Sequence, residues 1–75
     1  MEPNILDLRQ ERCPMALLLA KRHTKGLNPG DNVQILISDS SSMNDITRFL
    51  KKHLFQLNCE QMNGYYSMQV TKELY

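Results

Sequence analysis

Asn4-Ile5-Leu6-Asp7-Leu8-Arg9-Gln10-Glu11-Arg12-Cys13-Pro14-Met15-Ala16-Leu17 changes from one structural period to another at its midpoint, and that change decides the fold. Asn4 to Leu8 reads as a short β-strand, and the polar run Arg9 to Arg12 ends it and delivers the chain to Cys13. A proline at the first position of a helix loses nothing by lacking an N–H, so Cys13-Pro14 marks a helix start with the thiol at its cap. From Pro14 onwards Leu17, Ala20, Thr24 and Leu27 recur at three- and four-residue spacing, and Gly26 marks the end. A strand-to-helix turn is thus expected to present a cysteine.

Further along, Asn28-Pro29-Gly30-Asp31 has the composition of a turn. Val33-Gln34-Ile35-Leu36-Ile37 alternates β-branched side chains onto one face, as a strand covered on that side does. Ser38 to Ser42 read as a loop with several potential N-caps. Met43, Ile46, Phe49, Leu50 and Leu54 then form the apolar stripe of a second helix, opposite Asn44, Arg48, Lys51 and Lys52. Phe55 to Cys59 and Tyr66 to Val70 alternate with period two on either side of Asn63-Gly64, a dipeptide that favours a tight hairpin turn. The element order is β-α-β-α-β-β. A β-α-β unit needs parallel strands and a hairpin antiparallel ones, so the four-stranded sheet is expected to be mixed. Each helix has a single apolar face. This predicts an α/β two-layer sandwich with both helices on one face of the sheet and the other face partly wet.

Seventy-five residues make one domain, 1–75 with a core of about 5–72, and a chain this short buries only about 60% of its unfolded surface. The longest apolar run, Met15 to Ala20, has six residues, far short of the roughly 18 that a membrane span needs. Met1 to Arg12 is polar overall, unlike a secretory signal, so the two cysteines are not read as a disulfide staple. The expected compartment is reducing and cytoplasmic. Nine Lys and Arg against eight Asp and Glu leave a charge of +1, far from the basic balance of a dedicated nucleic-acid binder. The cations nevertheless cluster, with Lys21, Arg22 and Lys25 on the first helix and Arg48, Lys51 and Lys52 on the second. They read as solvated helix faces, with a surface for an acidic protein or RNA as the alternative.

Cys13 is the leading candidate for chemistry. The N–H groups of a first helical turn and the helix dipole stabilise a thiolate; Arg12 adds a nearby cation, and Glu11 opposes it. A cap without chemistry more usually holds Ser, Thr, Asp or Asn, whereas a free cysteine is commonly a small buried hydrophobe. As a thiolate, Cys13 suits attack on a sulfur donor, storage of a persulfide, or a mixed disulfide. Cys59 shares the alternation of Phe55 and Leu57 and is expected in the core, with no C-x-x-C spacing to bring it to Cys13. His23 and His53 stand alone on their helices, without the paired spacing of a zinc site, and are expected at the surface or its boundary. No metal is expected. Asp45 falls in the expected first turn of the second helix, where capping accounts for it. Asp39 ends the second strand, which in a parallel β-α-β unit lies beside the start of the first helix, so it reads either as facing Cys13, to hydrogen-bond a donor or recruit a partner, or as a solvated loop carboxylate. Met15, Leu18 and Leu19 point partly away from the Leu17 stripe and are expected to leave apolar area near the thiol for docking, with a broad buried helix face as the alternative.

Leu6-Asp7, Arg12-Cys13-Pro14, Lys21, Leu27, Pro29-Gly30, Asp39, Asp45-Ile46, Phe49 and the Tyr66 to Lys72 segment follow one another with familiar order and spacing. From Ile5 to Lys72 the chain resembles the TusA-like, SirA-type sulfur-carrier proteins. The resemblance implies a sandwich like the C-terminal domain of bacterial translation initiation factor three, and a cytoplasmic persulfide carrier without a cofactor. Its cysteine, matched by Cys13, takes sulfur from a donor protein such as a cysteine desulfurase and passes it to a downstream sulfur-acceptor protein. In the best-known member this relay ends in thiolation of a tRNA wobble uridine. Arg12, Pro14 and Asp39 match supporting positions. The family usually shows Cys-Pro-x-Pro where this chain has Cys13-Pro14-Met15-Ala16. Gln10-Glu11 stands in place of a common Gly-Leu, and Asp39-Ser40-Ser41 in place of an Asp-Asp-Pro loop. A non-catalytic interaction or regulatory module with the same fold is the alternative.

Overall fold

A computed structural model of the chain describes residues 4–12, 14–53 and 55–73. Its elements run β1 (Ile5–Leu8), α1 (Met15–Lys25), β2 (Asn32–Ile37), α2 (Ser40–Lys52), β3 (Phe55–Gln61) and β4 (Tyr66–Lys72). The strands form one mixed sheet in the order β1-β2-β4-β3. β1 and β2 are parallel, while β4 runs antiparallel to both β2 and β3. β3 is therefore parallel to β1 and β2, and each helix is a return connection between parallel strands.

Register places Leu6 and Leu8, then Val33, Ile35 and Ile37, then Met68 and Val70 on one face of the sheet. Ala16 and Ala20 of α1, Leu27, and Ile46 and Leu50 of α2 complete the core on that side. The opposite face carries Ile5, Asp7, Gln34, Ser67 and Gln69, where Gln34 Nε2 donates to Ser67 Oγ at 2.8 Å. The expected one-sided sandwich with a wet face is what forms.

Ala20, Thr24 and Leu27 of the predicted α1 stripe are buried, and at its start Ala16 takes the place expected of Leu17. Leu17 and Leu19 are half-buried on the flanks. Small side chains let the helix approach the sheet, and the larger leucines fill the angles beside it. Thr24 satisfies its buried hydroxyl by donating to the Ala20 carbonyl at 2.8 Å.

α2 begins inside the segment expected to be a loop. Asp39 is its N-cap and Ser40, Ser41 and Ser42 form the first turn. The Asp39 carboxylate accepts from the Ser42 N–H at 3.3 Å and from the Ser42 hydroxyl at 2.7 Å, so the fully buried Ser42 keeps a partner. Asp45 accordingly lies beyond the first turn, and the capping expected of it is done by Asp39. Leu54, expected on the α2 stripe, lies outside the described residues. Asp39→Ala should cost about 1–2 kcal/mol, because it removes a cap and strands the Ser42 hydroxyl. Urea denaturation measures this; a loss below about 0.5 kcal/mol would remove the capping role from the account of α2.

Cys59 departs from expectation in burial. It shares a face with Phe55 and Leu57 and pairs with buried Met68, yet it is exposed. β3 is an edge strand, and burial along it fades with distance from the α2 connection: Phe55 and Leu57 are half-buried, and 58–61 are exposed. The hairpin that follows turns tightly at Asn63-Gly64, as predicted. Met62 N–H donates to the Tyr65 carbonyl at 2.7 Å, and Gly64 takes φ 89°, a left-handed value that glycine adopts without steric cost.

Candidate functional site at the ends of the parallel strands

Parallel pairing sets Leu8 beside Ile37, so the loops leaving β1 and β2 emerge at the same end of the sheet. Arg9, Gln10, Glu11 and Arg12 from the first loop and Ser38 and Asp39 from the second line one cleft of about 360 Å³. The first loop opens with a turn closed by the Glu11 N–H on the Leu8 carbonyl at 3.0 Å. Arg12 and Asp39, two of the residues singled out in the sequence, are thereby brought into one cleft. Cys13 lies outside the described residues.

Pro14 is the N-cap of α1, with φ −92° and ψ −2°, and the helix proper starts at Met15. This is one residue later than the first-helical-position reading, a shift within the ordinary play of helix ends. The Arg12 carbonyl already accepts from Ala16 N–H at 2.9 Å and the Pro14 carbonyl from Leu18 N–H at 3.1 Å. Helical hydrogen bonding therefore opens at the two residues that flank Cys13 in the chain. The first turn of α1 holds no acidic side chain, so the positive end of its dipole meets no carboxylate there. On the outer side of this turn Met15 and Leu18 are 49% and 53% exposed, as expected, whereas Leu19 packs half-buried against the core.

One feature beside the cleft went unread in the sequence. Arg9 donates from Nε and Nη2 to the two carboxylate oxygens of Asp7 at 2.9 and 2.8 Å, and its backbone N–H donates to Oδ1 at 3.1 Å. The same guanidinium lies 5.1 Å from the centre of the Tyr65 ring, tying the loop after β1 to the hairpin tip. These bonds from Arg9 lower the Asp7 carboxyl from 3.8 to about 2. The folded value lies below the ordinary one, so the pair's contribution to stability is present above about pH 4 and is lost as pH falls through about 2. Arg9→Gln should return Asp7 towards 3.8, read by carboxyl carbon NMR titration; an unchanged midpoint would show that the fork does not form in solution. An Asp-x-Arg step at a strand end was its only trace in the sequence.

The histidines stay at the boundary: His23 Nε2 lies 3.1 Å from Asn4 Oδ1, and the exposed His53 ring lies 4.5 Å from Phe49. Among the described residues no three His, Cys, Asp or Glu side chains group as metal ligands, and no helix is long and apolar enough to cross a membrane.

This sandwich belongs to a known structural class. A SirA-like protein from Desulfitobacterium hafniense matches with a TM-score of 0.77 and 18% identity, over 93% of this chain and 97% of that one. A solution structure from Helicobacter pylori matches with a TM-score of 0.72 and 19% identity, over 95% and 99% of the two chains. At such identities the likeness is one of fold. In sequence, the family model described as Sulfurtransferase TusA matches residues 4–72, and the chain belongs to the TusA family. The sulfur carrier protein TusA of Buchnera aphidicola subsp. Baizongia pistaciae is 31% identical over 51 residues. That segment covers 68% of this chain and 65% of the Buchnera protein, so the chain spans just under two thirds of that relative's length.

Proposed function

We propose that this protein is a cytoplasmic sulfur carrier that works through Cys13. The Cys13 thiolate attacks the outer sulfur of a persulfide on a donor protein such as a cysteine desulfurase. A new sulfur–sulfur bond forms at Cys13, the donor's own sulfur–sulfur bond breaks, and the donor leaves as a thiolate that takes up a proton. The outer sulfur is then surrendered to an acceptor protein by the same exchange, with tRNA thiolation as one destination. No oxidant is consumed and the chain needs no cofactor for either step.

The observation that carries this reading is the opening of helical hydrogen bonding at Arg12 and Pro14, on either side of Cys13, in a member of the TusA family. A helix N-terminus lowers a thiol's pKa and favours the anionic persulfide. In this proposal Arg12 adds positive charge, Pro14 sets the start of α1, and Asp39 holds the facing loop in place by capping α2. Exposed Met15 and Leu18 offer the donor and acceptor an apolar contact beside the thiol.

Incubation of the protein with a cysteine desulfurase and cysteine tests it. Intact mass should rise by one sulfur atom, and dithiothreitol should reverse the gain. No gain overturns the proposal and leaves the interaction module with the same fold.

A further inference from the structure

The charge of +1 conceals a strong separation. Six of the nine Lys and Arg lie on the two helices, where Asp45 is the only acid; the strands, loops and ends hold three cations and seven acids. Both helices run back from the end of the sheet that bears Arg12 and Asp39, so their C-terminal halves lie together at the opposite end. Met15 to Lys25 spans about 15 Å of helix rise, which separates this end from the cleft at Arg12 and Asp39.

There the helices and the ends of β3 and β4 enclose a groove of about 710 Å³. Its cationic rim is Lys21, Arg22 and Lys25 of α1 together with Lys72, and the exposed His53 closes the α2 side. Half-buried Phe49 and Phe55 supply an apolar floor. A second, adjoining depression of about 350 Å³ continues between the helices past Arg48 and Lys52, with Asp45 beside them. Lys72 is engaged within the fold, donating to the Leu27 carbonyl at 3.1 Å. Cations at helix C-termini are favourable by themselves, but that accounts for the last turns alone and not for an aromatic floor between them.

We infer that this groove is a second docking site, one that takes an acidic polypeptide segment carrying an apolar anchor, at the end of the molecule away from Arg12 and Asp39. The anchor lies on Phe49 and Phe55, and Asp or Glu side chains meet the lysines and arginines of the rim. Charge complementarity selects a short acidic segment, which senses the local patch and not the acidic remainder of the molecule. A nucleic acid is disfavoured because a long polyanion would also meet the seven acids outside the helices.

The test uses a short fluorescein-labelled peptide of Asp and Glu with a central Phe-Leu pair, titrated against the full chain by fluorescence anisotropy. Saturable binding that weakens as salt rises is expected. The Arg22→Glu/Lys25→Glu pair should bind about tenfold more weakly, and the Arg22→Lys/Lys25→Arg pair, which keeps both charges, should bind as the unmodified chain does. Backbone amide shifts should move at 48–56 and not at 9–12. Unchanged binding by the reversed pair, equal loss in the charge-preserving pair, shifts centred on 9–12, or tighter binding of a short oligothymidylate at the same salt would each overturn the inference.

Discussion

Cys13→Ser is expected to abolish the sulfur gain seen by intact mass, and Cys59→Ser to leave it intact. The first effect follows from the chemistry of the atom: a serine oxygen cannot close a sulfur–sulfur bond, and its proton is held far more tightly than a thiol's. The second variant is needed because the structure exposes Cys59 on the edge strand, so accessibility does not single out Cys13. What separates the two is the backbone around them. Cys59 sits within β3, where an edge strand supplies no converging N–H groups, whereas helical bonding opens on either side of position 13. A sulfur gain that survives in Cys13→Ser and vanishes in Cys59→Ser would move the proposed chemistry to the edge strand.

Ile35→Ala is expected to be the most destabilising of the substitutions considered, at about 2–5 kcal/mol. Ile35 is at the middle of β2, fully buried, with Leu6 opposite it on one side and Met68 on the other. Truncation leaves a cavity beneath the helix layer that three strands border. A chain of this length has a total stability of about 4–11 kcal/mol, so the loss takes a large share of it and lowers the thermal midpoint by roughly 10–30 °C. Ile5→Ala, at a 47% exposed position on the open face, should change stability by only about 0.5 kcal/mol. Thermal unfolding followed by circular dichroism compares the two; equal losses would contradict the one-sided core.

Much of the fold was legible because its signals are local. The alternation of Val33, Ile35 and Ile37, the stripe through Ile46 and Leu50, and the Asn63-Gly64 turn are each written within a few residues, and each of these signals is matched by the element it predicted, although α2 begins earlier than its stripe. Errors arose where a local signal had two readings. Three serines after Asp39 look like loop or like a capped first turn, and the buried Ser42 hydroxyl bonded to Asp39 decides for the turn. Phe55, Leu57 and Cys59 alternate identically, but period two assigns a face and says nothing about how far a helix covers it. Of the candidate site, the parallel β-α-β rule alone set Asp39 beside the start of α1, and the structure brings it into one cleft with Arg12. The Asp7–Arg9 fork was not foreseen, since its grip on Tyr65 joins residues more than fifty positions apart.

By itself, then, the sequence determined the element order, the mixed pairing, the covered faces of β2 and β3, and a cysteine-proline step between a strand and a helix. Periodicity, turn chemistry and the handedness of connections act over short stretches of chain, so a reader of residues has access to them. The tertiary structure alone decided that β4 enters between β2 and β3, which buries Met68 and Val70 and leaves β3, with Cys59, at the edge. It alone also decided that cations of α1 and of β4 converge around Phe49 and Phe55. Both depend on which apolar faces meet when the helices return across the sheet, a competition among long-range contacts that no local pattern encodes.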